Sequence, residues 1–207
     1  MKKIINALLV LINIWRILPV LIIINLQKKN TRTQIKEEII YWKKCAKLNY
    51  NGIVLLTILL LKHKEYRNLL CYRLKSCKGL NTIFFLAVKT LFPNISSLFI
   101  TCPSIGRNLY IQHGFATYIA AKSIGENCWI NQQVTIGYTF DNTPPTIGNG
   151  VRISAGAKVL GNITVGDNVI VAANAVVVKD VAENMIVGGV PSKIIGENTS
   201  HILYTTD

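Results

Sequence analysis

One of the three histidines in the sequence stands out because of its neighbours. His113 lies in the run LYIQHGFAT and is followed directly by a glycine, whereas His63 lies among lysines and His201 lies near the end of the chain. The unperturbed pKa of an imidazole is close to neutrality, so an exposed and rigidly held histidine can act as a general base. His113 is therefore the first candidate for a catalytic residue, the alternative being an ordinary surface histidine. His63 is expected to be exposed and without a role.

The element that would hold His113 is an array of six-residue repeats between Ile105 and Val178. Six residues are not a helical period, and a unit of that length cannot bury a core alone, so successive units must stack on one another. The pattern predicts a parallel β-helix with one short strand per hexad and three hexads per coil, whereas an antiparallel β-sandwich would need longer alternating strands. The aliphatic residues that recur are Ile105, Ile111, Ile124, Ile130, Ile136, Ile147, Ile153, Val159, Val165 and Val171.

Turn-forming residues follow these aliphatic positions. Glycine is favoured where two backbones approach closely or where φ is positive, and asparagine tolerates the left-handed region of the backbone map. The residues expected at the corners of the coil are Gly106, Gly125, Gly137, Gly148 and Gly166, together with Asn127, Asn149, Asn162 and Asn168.

The array is interrupted at three places, and function is expected there because a regular solenoid surface is uniform. The first interruption is IQHGFAT, residues 111–117, where the hexad gains a residue before the pattern resumes at Tyr118. The second is the excursion YTFDNTPP, residues 138–145. The third is the exit segment VGGVPSKII, residues 187–195.

The charges of the chain are divided unevenly between its halves. Residues 1–98 contain 17 Lys and Arg and three Glu, a net charge of +14, whereas residues 99–207 contain six basic and seven acidic residues, a net charge of −1. The lysines are scattered among apolar runs without a nucleic-acid-binding motif, so no nucleic acid is expected as a partner. Five cysteines show no zinc-site or CxxC spacing, which indicates a reducing compartment and no metal site.

Residues 4–26 form a nearly continuous apolar run with lysines on both sides. Arg16 and Pro19 lie near its middle, and both disfavour a simple membrane span. No small-residue cleavage site follows, so a signal peptide is not expected. We expect an interfacial segment that contacts an anionic membrane surface, the alternative being a buried helix of the N-terminal domain or of an oligomer interface.

The rest of the N-terminal half predicts a cap of about four helices. One helix is expected to begin at Thr33, a second apolar run from Ile53 is expected to continue as a helix through KHKEYRNLLCYRLK, and a short helix over 80–92 is expected to end at Pro93. The predicted organisation is a membrane-associated segment over 1–32, a helical domain over 33–98, the β-helix over 99–196 and a tail over 197–207.

The array resembles the hexapeptide-repeat acyltransferases and, within them, the serine O-acetyltransferase-like group. The runs that carry the resemblance are LYIQHGFAT, ENCWINQQVTIG, SAGAKVLGNITVGDNVIVAANAVVVKDV and GGVPSKII, between about residues 104 and 196. The resemblance implies a mainly β protein with a left-handed parallel β-helix and an α-helical N-terminal region. It also implies a homotrimer or a dimer of trimers, active sites between neighbouring subunits, and acetyl-CoA as co-substrate without a metal.

The resemblance also implies roles for individual residues. His113 falls on the catalytic histidine, and Gln112, Asn131, Tyr138 and Asp141 are expected to bind the acceptor. Tight packing at the corners would select small residues as well, so the cofactor contacts have this alternative explanation. The residues expected to bind the cofactor are Ala155, Gly156, Ala157, Ala172, Ala173, Pro191 and Lys193.

Two departures from the serine acetyltransferase pattern bear on the acceptor. Gln112 stands where a carboxylate would precede the histidine, and Pro144 stands near the position of a second histidine in the central loop. They favour a sugar hydroxyl of a surface polysaccharide or its lipid-linked precursor, modified in the cytoplasm at the inner face of the cytoplasmic membrane. The alternatives are L-serine, as in cysteine biosynthesis, and a non-catalytic trimeric scaffold.

Overall fold

The computed structural model describes residues 2–75, 79, 81–140 and 142–199. The chain divides into two compact units, Met1–Ile95 and Ser96–Asp207. Cys77, His201 and most of the predicted tail lie outside the described residues. The four described cysteines are buried, and no disulfide is found in the described part of the chain.

The first unit is helical. Its described helices are α1 (Lys2–Leu26), α2 (Lys29–Cys45), α3 (Gly52–Lys62), α4 (Lys64–Leu74) and α5 (Asn81–Leu91). Helix α1 packs mainly against α3 and α5, and α3 packs against α4. The largest fully buried side chains of the unit include Trp42, Tyr66, Ile17, Leu59 and Leu69.

The helical cap has one more described helix than the sequence predicts, because the run from Ile53 is broken at His63. This residue has φ −110° and ψ 85°, which no helix accommodates, and it separates α3 from α4. The expectation that His63 is exposed was wrong. Its ring lies edge-on to Trp42 with the centroids 6.2 Å apart, and burial lowers its pKa. Helix α2 begins at Lys29, four residues before the predicted start.

Buried charges in the helical unit are paired. Arg73 and Glu38 form an ion pair of 2.6 Å in which both side chains are almost fully buried, and a buried charge without such a partner is strongly unfavourable. Arg67 donates to the carbonyl oxygens of Leu61 and Pro93 at 3.0 Å each. The basic surplus of this half is therefore not confined to its surface.

The second unit is a parallel β-solenoid. Its first sheet contains β1 (Leu98–Ile100), β3 (Thr117–Ile119), β6 (Thr135–Gly137), β9 (Lys158–Leu160) and β12 (Val176–Val177). Its second sheet contains β4 (Ser123–Ile124), β7 (Thr146–Ile147) and β10 (Thr164–Val165). Its third sheet contains β2 (Tyr110–Ile111), β5 (Trp129–Ile130), β8 (Arg152–Ile153), β11 (Ile170–Val171), β13 (Met185–Gly188) and β14 (Lys193–Glu197).

The strand register produces the predicted columns. Ile111, Ile130, Ile153 and Val171 are paired in succession along the third sheet, and all ten recurring aliphatic residues are buried. Only β14 runs antiparallel, and it pairs with β13 at the end of the coils. The prediction of a parallel β-helix of hexapeptide repeats beside a helical N-terminal region is confirmed.

The chain turns three times in each coil, and the turns stack into three edges. The regular edge lies between the second and third sheets and comprises residues 106–108, 125–127, 148–150, 166–168 and 182–184. The interrupted edge lies between the third and first sheets and comprises residues 112–116, 131–133, 154–156, 172–174 and 189–191. The loop edge lies between the first and second sheets and contains residues 138–145.

The glycines of the regular edge are required by close approach. A Cβ on Gly125 would lie 2.6 Å from the carbonyl carbon of Gly148, and a Cβ on Gly106 would lie 2.7 Å from that of Gly125. Gly137, which was also predicted at a corner, lies at the end of β6 instead, and a Cβ there would meet nothing within 4 Å.

The asparagine prediction holds only in part. Asn127 and Asn168 have φ of 59° and 57°. Asn149 and Asn162 do not have positive φ, because the glycine beside each of them, Gly150 or Gly161, takes the left-handed conformation instead.

Candidate active site

The interrupted edge differs from the other turns by an insertion at its first position. Ile111 and Tyr118 are seven positions apart, whereas their sheet partners Ile130 and Thr135 are five apart. Two residues, His113 and Gly114, are therefore inserted, one more than the sequence pattern indicated. The buried column resumes at Thr117, which is 1% exposed, and not at Tyr118.

The inserted turn fixes the backbone of His113. Its φ is 56°, a left-handed value that is uncommon outside glycine. The His113 carbonyl accepts a hydrogen bond of 2.5 Å from the Phe115 N–H, and the Phe115 carbonyl accepts from the Gln133 N–H at 3.0 Å. The Thr117 hydroxyl also donates to the Phe115 carbonyl at 3.1 Å. The imidazole itself is exposed, so the coil holds its backbone while its ring faces solvent.

Gln112, the residue before the histidine, is engaged with a neighbouring strand. Its Oε1 accepts a hydrogen bond of 3.2 Å from the Trp129 indole N–H. Tyr110 lies edge-on to the Trp129 ring at 4.7 Å between centroids. The amide that replaces the expected carboxylate therefore orients an indole in the next coil.

A cavity of about 280 Å³ lies on the outer face of the third sheet beside Gln112. Its polar lining consists of two amides, an indole, a hydroxyl and a guanidinium group, supplied by Gln112, Asn131, Trp129, Ser154 and Arg152. The Arg152 guanidinium lies 5.5 Å from the centre of the Trp129 ring. Groups of this kind bind hydroxyl, carbonyl and carboxylate oxygens.

The lining includes three residues that were not predicted from the sequence: Trp129, Arg152 and Ser154. The repeat pattern did indicate two of them. Trp129 and Arg152 each stand directly before a buried isoleucine of the third sheet, and the two residues are paired in register. Such positions point outward in a pleated strand.

Most of the predicted cofactor contacts share the interrupted edge with His113. Ala155, Gly156, Ala172 and Ala173 lie at its third and fourth turns, and the edge continues to the exposed Pro191. Gly156 has φ of 75°, and a Cβ there would lie 2.0 Å from the Asn174 Oδ1, so packing within the edge already requires glycine.

The predicted cofactor contacts Ala157 and Lys193 lie just outside the interrupted edge. Ala157 is fully buried, so its methyl group belongs to the solenoid core. Lys193 is exposed at the start of β14. From His113 to Pro191 the edge crosses four coil spacings, roughly 19 Å at the usual distance between strands.

The loop edge carries the remaining predicted acceptor contacts. Ten positions separate Gly137 from Ile147, whereas five separate their partners Leu160 and Val165, so five residues are inserted. Tyr138 follows β6 and is half exposed, while Asp141 lies outside the described residues. Since His113 precedes β3 and Tyr138 follows its neighbour β6, the two residues lie at opposite ends of paired parallel strands. One chain by itself does not bring them together.

Comparisons with known proteins agree with this architecture. Residues 144–179 match the family described as bacterial transferase hexapeptide (six repeats). This segment, residues 144–179, therefore carries a bacterial transferase hexapeptide repeat. Among the described residues no group of three or more histidine, cysteine or acidic side chains could hold a metal ion.

Relatives of this hexapeptide-repeat chain are serine acetyltransferases. It is 43% identical over 107 residues to the serine acetyltransferase of Staphylococcus xylosus, which covers 50% of each chain. It is 41% identical over 95 residues to that of Synechococcus elongatus, which covers 44% of this chain and 39% of the relative. The chain thus spans half or less of the length of these curated relatives.

A solved structure extends the likeness to the helical unit. The serine acetyltransferase of Brucella abortus in complex with coenzyme A is 29% identical, has a TM-score of 0.59, and is covered over 67% of its length by 80% of this chain. The resemblance to hexapeptide-repeat acyltransferases of the serine O-acetyltransferase group is therefore confirmed.

Proposed function

We propose that this protein transfers the acetyl group of acetyl-CoA to a hydroxyl group, with His113 as the general base. The observation that carries the proposal is the two-residue insertion, which places one exposed imidazole on an otherwise regular stack of turns. The serine acetyltransferase relatives, one of them a coenzyme A complex, support the reaction class and the donor.

In the proposed reaction His113 removes the proton of the acceptor hydroxyl while the oxygen attacks the thioester carbonyl. The carbon–sulfur bond breaks, the thiolate of coenzyme A takes the proton from the imidazolium, and the products are an O-acetyl ester and a thiol. An N–H donor near the carbonyl oxygen would stabilise its developing negative charge.

The interrupted edge suits an extended donor. Ala155, Ala172 and Ala173 have side chains short enough for a ligand to approach the backbone, and this edge leads from His113 to the exit segment. Lys193 lies beyond Pro191 and carries a cation suited to phosphate groups. These residues fit the donor, and we propose them as its contacts.

L-serine is the acceptor that the relatives favour, and we place it ahead of the sugar that the sequence departures favoured. The guanidinium of Arg152 in the cavity is suited to the carboxylate of an amino acid. The reaction would then belong to cysteine biosynthesis.

A sugar hydroxyl is the second candidate because of the other groups in the same cavity. The amides of Gln112 and Asn131 donate and accept hydrogen bonds, and the Trp129 indole offers a flat apolar surface. A lipid-linked sugar would be modified in the cytoplasm, at the inner face of the cytoplasmic membrane.

We also propose that the protein assembles as a homotrimer, alone or as a dimer of trimers, so that the loop of one subunit supplies Tyr138 beside the His113 of another. Exposed apolar residues support an interface, since Phe115 lies on the interrupted edge and Val190, Ile194 and Ile195 lie in the exit segment. Sedimentation velocity would measure the assembly, and a monomeric active enzyme would contradict it.

The experiment that tests the function follows thiol release from acetyl-CoA with L-serine and, separately, with lipid-linked sugar extracts. We expect saturable turnover and a loss of about 10²–10⁴-fold in rate for His113→Ala. Arg107→Ala is the matched control, because this exposed cation lies on the regular edge, away from His113, where it forms a surface ion pair of 4.0 Å with Glu126.

Full activity in a folded His113→Ala protein would overturn the role of the base. A stable assembly without turnover on either acceptor would instead support the scaffold alternative. Turnover with the sugar extract alone would reverse the order of the two acceptors.

A further inference from the structure

Helix α1 presents an apolar stripe along one side. The residues of the stripe follow the helical period and are all at least half exposed; they are Ile4, Ile5, Leu8, Leu11, Ile12, Trp15 and Leu18. Their spacing of three and four residues places them on one face over about 21 Å of helix. Side chains of this size normally lie in a protein interior, so the stripe needs a covering partner.

The opposite side of α1 is covered along the C-terminal half of the helix. Ile17, Val20 and Ile23 are fully buried, and α1 packs against α3 and α5. The Asn13 side chain bonds to the Leu9 carbonyl at 2.9 Å within the helix itself.

Arg16 also lies on the protein side of the helix. Its guanidinium donates to the Leu91 carbonyl at 2.5 Å and lies 4.8 Å from the centre of the Phe92 ring. Both groups belong to the C-terminal end of α5 and the residue after it. The charge that argues against a span is thus removed from the stripe and paired inside the unit.

The helix is long and apolar enough to cross a membrane by length and composition, over Ala7–Leu26, and 22% of that window is buried. A span would carry Arg16 and the attached end of α5 to the middle of the bilayer, where charge is costly. A helix lying flat in the interface would bury only the stripe and leave Arg16 on its protein partner. The two-sided character of α1 therefore favours the flat arrangement.

The net charge of the N-terminal half favours a lipid surface over a second copy of the chain as the partner that covers the stripe. Residues 1–98 have a net charge of +14, so two such halves repel one another whereas an anionic surface attracts each of them. Lys28 and Lys29 are exposed just beyond α1, and Lys89 is exposed on α5 near the exposed Ile83 and Leu86. Exposed cations thus accompany the exposed apolar residues of both α1 and α5.

We propose that α1 binds an anionic phospholipid membrane by lying in the plane of the interface, with its stripe facing the acyl chains. This inference does not depend on acetyl transfer, because it follows from the helical unit alone. It locates the protein on the membrane surface without a span.

Co-sedimentation of the full chain with phosphatidylcholine vesicles, with and without phosphatidylglycerol, tests the binding. We expect binding to the anionic vesicles and a loss of about tenfold or more in affinity for Leu11→Gln/Ile12→Gln. Ile40→Gln/Ile53→Gln is the matched control, because it changes two exposed isoleucines of α2 and α3 and should leave binding unchanged.

Trp15 measures the depth, since it lies near the middle of α1 and is 63% exposed. A flat helix places its indole close to the headgroups, so lipids brominated high on the acyl chains should quench it more than lipids brominated near the chain ends. Trp15→Phe should remove this difference. Stronger quenching by the deep label would show a span and overturn the flat arrangement. Absence of vesicle binding, with self-association that Leu11→Gln/Ile12→Gln abolishes, would assign the stripe to a second copy and overturn the proposal.

Discussion

The regular edge and the interrupted edge are built on the same coils but use their residues in opposite ways. On the regular edge neither Gly125 nor Gly148 could carry a side chain without displacing backbone, because each lies close to the next turn, at Gly148 and at Gly166–Asp167 respectively. On the interrupted edge His113 lies in an insertion outside the stack, and its imidazole is exposed. Close packing and the exposed candidate base thus lie on different edges, so we expect that each can be changed without the other.

The largest expected effect comes from making the interrupted edge regular. Deleting His113 and Gly114 together gives the first turn the length of the turn at Gln132–Gln133. We expect acetyl transfer to fall by about 10³-fold or more, roughly 4 kcal/mol of transition-state stabilisation, because the base is removed. The thiol-release assay measures the loss, and a thermal melt should show a similar midpoint. A large drop in that midpoint would mean that the insertion contributes to packing.

The second prediction compares a glycine of the regular edge, Gly125, with a glycine outside it, Gly137. Gly125→Ala should lower the free energy of unfolding by about 2–3 kcal/mol, because its methyl group would lie 2.6 Å from backbone atoms of Gly148. Gly137→Ala, where a Cβ meets nothing within 4 Å, should change it by less than about 0.5 kcal/mol. Urea unfolding of both variants gives the comparison, and equal losses would contradict the assignment.

The third prediction concerns the pH dependence of the regular edge. Cys128 lies beneath it with its thiol 3.2 Å from the Gly148 carbonyl, and burial raises the pKa of this thiol to about 12 from 9.0. The folded state holds the proton more tightly, so this contribution to stability is complete below pH 9 and is lost as the pH rises to 12. We expect a fall of about 1.4 kcal/mol per pH unit in that window.

Cys128→Ala should flatten this profile, measured as chemical unfolding of both proteins between pH 8 and 11. Burial also raises the pKa of Tyr66 in the helical unit, so the difference between variant and parent isolates the thiol. Parallel profiles would show that Cys128 makes no contribution.

The smallest expected effect is at an asparagine of the regular edge. Asn168 has φ of 57° and donates to the Asn184 Oδ1 at 3.1 Å. Asn168→Ala should cost about 1–2 kcal/mol of unfolding free energy, because alanine disfavours the left-handed conformation and lacks the amide. Asn168→Gly should recover the backbone part of this loss. A thermal melt of the two variants checks this difference, and equal losses would show that the hydrogen bond matters and the backbone conformation does not.

The comparison of the two edges also explains which features of the solenoid could be predicted from the sequence. The ten buried aliphatic positions were found because each coil repeats the same packing requirement, which a period of six displays directly. His113 was found because it breaks that period beside a glycine. Arg152 was missed because an arginine on an outward strand position is indistinguishable from a solvated one until the register places it beside Trp129.

The helical unit has no sequence repeat, and its contacts could be predicted from the sequence only in part. A helix was predicted through KHKEYRNLLCYRLK, and α4 lies within that run with Tyr66, Leu69 and Leu74 buried. The break at His63 was missed, since one residue with non-helical backbone leaves the apolar pattern on either side nearly unchanged. The pairing of Arg16 with the end of α5 joins residues 75 positions apart, a contact that no local pattern contains.

The amino-acid sequence alone predicted the solenoid and singled out His113 as the candidate base, because both depend on local spacing that is repeated or interrupted along the chain. Tertiary structure alone decided which residues share an edge, that Gln112 bonds to Trp129, that Tyr138 lies at the opposite strand end from His113, and which side of α1 is exposed. These facts depend on register and on helix packing, which bring together residues far apart in the chain and are fixed by the fit of whole surfaces.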